Sequence, residues 1–203
     1  KDLIPVLSYV LLKGKCRQCK EKISIQYPIV ELLNAGLYIL VYLKFGLGIE
    51  LIKYCLLTSL LIVIALIDFK TKFVYSSTII FGLVFGIIFA VIQWIMTKQI
   101  PLDLIIGAII GFAVIGIIVK VTGGMGDGDI DIALMCGLYL GVRGIAITLF
   151  LSFVIGAIAS LIIVMFKLND GEREIAFGPY LAIGAIIAML YGTNLFSAYL
   201  SLF

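Results

Sequence analysis

The sequence contains no histidine, which removes every mechanism that relies on an imidazole base. Charge is scarce as well. Only 13% of the 203 residues are charged while 63% are hydrophobic, and the mean hydropathy is +1.24. A soluble domain of this size needs far more polar surface, so the composition is that of an integral membrane protein. Stretches of alternating polarity are missing, which excludes a closed barrel. Helices remain, because backbone groups in lipid must be satisfied within their own segment. No nucleic-acid-reading motif appears and the basic residues are dispersed over loops, so the expected surroundings are a lipid bilayer and not nucleic acid. No signal-peptide pattern is present. The chain begins on Lys1, not Met, and a preceding segment is expected.

What is there falls into two parts. Residues 1–28 are polar and basic and carry Cys16 and Cys19 in a C-x-x-C pair. Residues 29–203 alternate apolar runs with short charged loops. The other two cysteines, Cys55 and Cys136, lie inside apolar runs and read as small hydrophobes. The pattern predicts an all-α, polytopic membrane helix bundle of about seven spans, near 29–47, 51–67, 77–96, 103–121, 130–142, 144–166 and 177–193. The fifth is short, about 20 Å as a helix against a hydrocarbon core of about 30 Å. It either starts below the membrane surface and crosses, or is re-entrant. Crossing is the preferred reading, with the preceding glycine loop lining a wet cavity.

With seven crossings, the basic residues divide unevenly. Lys1, Lys13, Lys15, Arg17, Lys20, Lys22, Lys70, Lys72, Lys120, Lys167 and Arg173 share one face, and only Lys44, Lys53, Lys98 and Arg143 share the other. The positive-inside rule makes the first face cytoplasmic. A re-entrant fifth segment leaves the bias much weaker.

Two acids stand at the edges of apolar runs on that face: Asp68, in Ile67-Asp68-Phe69, and Asp129, in Gly126-Asp127-Gly128-Asp129. A carboxylate costs roughly 2.5 to 3.5 kcal/mol at the centre of a membrane helix, so acids in such positions point to function. Two carboxylates in a low-dielectric site share a proton, one acting as base on water while the other protonates a carbonyl. The ordinary alternatives are an ion pair of Asp68 with Lys70 or Lys72, and a helix-capping role for Asp129. The glycine loop is no P-loop, since no G-K-[ST] follows. It lacks the further oxygen ligands of a calcium loop. Its use is close backbone approach beside an aimed carboxylate, with Gly126, Asp127 and Gly128 as the supporting loop.

The chain resembles the type IV prepilin peptidases, a family of G-x-G-D membrane aspartic proteases, in four stretches. Pro5-Val6-Leu7-Ser8-Tyr9 through Gly14-Lys15-Cys16-Arg17-Gln18-Cys19 is similar to a family cysteine knuckle. Ile23-Ser24-Ile25-Gln26-Tyr27-Pro28-Ile29-Val30-Glu31-Leu32-Leu33 is similar to the entry into a membrane span. Ile67-Asp68 with Gly126-Asp127-Gly128-Asp129 resembles the catalytic pair, and Ala176-Phe177-Gly178-Pro179-Tyr180-Leu181 a late family motif. The loop fits G-x-G-D in two registers, ending on Asp127 or on Asp129. The apolar residues that follow favour Asp129.

The resemblance implies an endopeptidase that removes the leader of type IV prepilins or pseudopilins at the cytoplasmic membrane, with its site facing the cytoplasm. It implies Asp68 and Asp129 as catalytic residues and no cofactor for proteolysis. Family members often also methylate the new N-terminus, which brings in S-adenosylmethionine, and hold zinc with two C-x-x-C pairs. Cys16 and Cys19 supply half of such a site. The competing reading is a small transporter or channel with intramembrane acids, which predicts internal repeats that the sequence does not show.

Overall fold

A computed structural model describes residues 5–166 and 176–201. Lys1, Lys167 and Arg173, three of the charges used for orientation, lie outside the described residues. Among the described residues seven helices follow one another: α1 (Pro5–Leu11), α2 (Gln26–Phe45), α3 (Ile49–Thr71), α4 (Ser76–Thr97), α5 (Leu102–Thr122), α6 (Asp127–Met165) and α7 (Gly178–Leu200). Six helices among the described residues are long and apolar enough to cross a membrane. The protein is therefore an all-α, multi-pass membrane protein.

The chain forms two compact units, residues 1–51 and 52–203. In the first, α1 leads into a small hairpin held by Cys16 N–H to Glu21 C=O (2.8 Å) and Ile23 N–H to Gly14 C=O (2.8 Å). The C-x-x-C pair sits at its tip, and α2 follows.

The second unit is built on close helix approach. Gly107, Gly111 and Gly137 line the contact of α5 with α6. A Cβ at Gly107 would lie 2.8 Å from the Gly137 carbonyl oxygen, so only glycine lets these backbones meet. On α4, Gly82 receives the Tyr139 hydroxyl on its carbonyl at 2.9 Å.

The long α6 is not straight. Gly141 has φ 72 and ψ −173, breaking the helix into limbs 127–140 and 142–165. The limbs fold back on each other. A Cβ at Gly111 would touch both the Ala133 carbonyl carbon (2.8 Å) and Ile145 Cγ1 (3.2 Å), so one turn of α5 meets residues from either side of the bend. The second limb then returns to Phe177 and Tyr180, which flank Gly156. The two expected spans at 130–142 and 144–166 are thus the limbs of one bent helix, and the first limb runs the length of α5 instead of re-entering. Left-handed φ and a neighbouring carboxylate both require glycine at the bend. Asp103 of α5 accepts Val142 N–H there at 3.3 Å, capping the second limb.

Candidate active site

Asp68 lies in the last turn of α3. The buried stripe of that helix runs Leu57, Leu61, Ile64, Asp68, a helical spacing that puts the carboxyl where the next apolar residue belongs. An acid in a helix's last turn opposes the macrodipole. Here the carboxylate faces a second helix end. The N–H of Gly178, the first residue of α7, donates to Asp68 Oδ2 at 2.9 Å. Lys72, with φ 56, ends α3 by turning left-handed, its N–H on the Asp68 carbonyl at 2.8 Å. The side-chain hydrogen bond of Asp68 is therefore to a residue 110 positions away.

Asp129 occupies the third position of α6, with Gly126 as N-cap. Its Oδ2 accepts Gly126 N–H at 3.2 Å, the back-reaching half of a capping box. It too belongs to a buried stripe, continuing through Ile132, Ala133 and Cys136. So Asp129 does cap its helix, from inside the first turn and not from the N-cap.

Both residues are only 5% exposed. They line one cavity of about 580 Å³ together with Lys72, Phe73, Val74, the 123–128 loop, Ala176 and Phe177. Among the described residues each carboxylate accepts one backbone N–H, both on Oδ2. Asp127 lines the same cavity but is exposed. Of the two registers, burial thus singles out Asp129.

The supporting glycines divide in role. A Cβ on Gly128 would meet Val74 Cβ and Cγ2, each at 2.7 Å, so this glycine lets the 72–75 segment close onto the aspartate turn. A Cβ on Gly126 would meet nothing nearer than 4.0 Å. That residue keeps the cavity open and is not needed for packing.

Gly178, which the sequence offers only as part of the late family motif, has a place of its own beside Asp68. A Cβ there would sit 2.5 Å from Asp68 Oδ2 and 3.2 Å from Ile132 Cδ1. Its signal was a Gly-Pro opening an apolar run, which also marks any helix start.

At the N-terminal hairpin, Cys16 and Cys19 are both free thiols. The backbone N–H groups of Cys19 and Gln18, with the Cys19 thiol, hold the Cys16 thiol below its ordinary value. That is a knuckle suited to two thiolate ligands. Among the described residues no group of three or more cysteine, aspartate or glutamate side chains is arranged to hold a metal. A tetrahedral zinc takes four ligands, and this pair offers two.

A polytopic helix bundle with two buried carboxylates facing one cavity defines a class: a membrane protein with two acids on a shared cavity wall. Comparison with known proteins narrows it. Residues 55–161 match the Type IV leader peptidase family, and residues 1–45 match the Bacterial Peptidase A24 N-terminal domain. A prepilin leader peptidase/N-methyltransferase of Bacillus subtilis is 34% identical, covering 99% of this chain and 80% of the relative. Relatives with the same description are 34% identical in Pseudomonas putida, over 98% of this chain and 70% of the relative, and 35% identical in Aeromonas salmonicida, over 98% and 69%. No solved structure matches. The chain belongs to the Type IV leader peptidase family, and the transporter reading finds no support.

Proposed function

We propose that this chain is an aspartic endopeptidase of the cytoplasmic membrane that removes the leader of type IV prepilins or pseudopilins, with Asp68 and Asp129 as its catalytic pair. The carrying observation is that two acids from helices far apart in sequence are buried and line one cavity. The pair holds one proton. The ionised member takes a proton from water, whose oxygen attacks the scissile carbonyl carbon, while the protonated member donates to the carbonyl oxygen. The tetrahedral diol then collapses, the C–N bond breaks, and the pair returns a proton to the leaving amine. Backbone N–H groups on one oxygen of each carboxylate fix the orientation of both.

The basic residues favour a site facing the cytoplasm. The N-terminal knuckle supports a role for zinc and S-adenosylmethionine-dependent methylation in a protein with a second pair of ligands. Proteolysis by this pair needs neither, because the two carboxylates themselves supply the base and the acid.

The register is tested by cleavage of a prepilin in detergent or vesicles. Asp129→Asn is expected to abolish cleavage while Asp127→Asn keeps substantial activity. The reverse order would overturn the assignment.

A further inference from the structure

The short segment between α3 and α4 passes the cavity wall as non-helical backbone, residues 73–75. Its three residues differ in what their backbone groups do. Phe73 is tied back to α3 by its N–H on Thr71 Oγ1 at 3.3 Å. The Tyr75 carbonyl accepts Thr78 N–H at 3.0 Å and Ile79 N–H at 3.4 Å as α4 begins, and Tyr75 itself is extended, with φ −74 and ψ 119. Val74 lies between them and lines the cavity. Among the described residues neither its N–H nor its C=O has a hydrogen-bond partner.

Backbone polar groups without a protein partner on a cavity wall are left to water, which a peptide backbone can replace. Val74 is also the least exposed residue of the segment. Its side chain abuts Gly128, leaving no room for even a methyl group there. Gly128 directly precedes Asp129, so the Val74 backbone is held at a fixed place beside the carboxylate pair.

We propose that Val74 is a docking edge for substrate backbone: its N–H and C=O clasp one residue of an extended leader peptide next to the aspartates. This rests on the peptidase reading above and deepens it. A peptide bond inside a helix has its C=O and N–H engaged, so a scissile segment must open to extended backbone before attack. Pairing with a strand edge replaces the helical hydrogen bonds that opening removes. An edge of one residue has a narrow consequence. In either strand direction the Val74 carbonyl accepts only one substrate N–H, and the N–H groups of the two adjacent substrate residues point the other way.

The test leaves the enzyme unaltered. A synthetic peptide spanning the leader junction of a type IV prepilin is prepared with single amide-to-ester replacements at successive positions on both sides of the scissile bond. Each removes one N–H without adding bulk. The full-length chain in detergent micelles must first cleave the all-amide peptide; failure there overturns the peptidase reading and this proposal with it. Given cleavage, one ester position is expected to lose about tenfold in kcat/KM, the effect of one hydrogen bond, while one neighbour shows only the smaller loss from a weakened carbonyl and the other stays within about twofold. A flat profile, or equal losses at consecutive positions, would overturn the docking edge and leave the catalytic pair standing.

Discussion

Single atoms decide most at Gly178. A methyl group there would press on Asp68 Oδ2 and move the carboxylate off the α7 N–H. Gly178→Ala is expected to lower kcat/KM about 10- to 100-fold, in line with the cost of misplacing a catalytic group by a fraction of an ångström. The loss should fall on kcat and leave KM nearly unchanged, which steady-state kinetics will show. The two loop glycines offer a sharper contrast. Gly126→Val adds a side chain into open cavity, so cleavage should fail while the thermal unfolding temperature stays put. Gly128→Val collides with Val74, so it should lose both. Equal unfolding temperatures for the two variants would contradict the packing described here. At this scale the sequence was most readable. Asp68 and Asp129 stand out as acids on apolar helical stripes, a local rule broken where function is expected. Gly178 and Val74 did not stand out, because their roles exist only once α7 and the 73–75 segment meet residues far away in the chain.

The bend in α6 is the element that arranges the rest. Without it a single long helix would carry Phe177 and α7 away from the end where Asp129 sits. Gly141 pairs a positive φ with a carboxylate against its hydrogen atoms. Gly141→Ala should therefore cost about 1 to 3 kcal/mol of stability, measurable by denaturation in mixed micelles. Asp103→Ala, which only removes the cap on Val142, should cost less, about 1 kcal/mol. The apolar runs on either side of this point were visible as two segments, one too short to cross by ordinary criteria. The sequence carried no mark of which residue turned the chain. Arg143 is the more conspicuous break, yet charge does not bend a helix, whereas left-handed backbone at Gly141 does.

Across the whole molecule, the N-terminal unit carries the thiol knuckle and the second unit carries both acids. Cys16→Ser with Cys19→Ser is accordingly expected to leave leader cleavage within about twofold of wild type, and a large loss would show that the two units share the peptidase chemistry. Composition and periodicity made the class of fold legible, since a histidine-free chain of this hydropathy has few ways to fold or to hydrolyse. The pairing of α3 with α7 was hidden, because membrane helices pack through small residues and shape, which leave no long-range signature in one sequence. The proposed pairing has Asp68 and Asp129 acting as one unit on one water. Its most direct measure is the cleavage rate of a prepilin by Asp68→Asn, Asp129→Asn and the double variant, with insertion verified for each. Both single variants should fall to background and the double should be no slower than either. A single variant cleaving at near the wild-type rate would contradict the account.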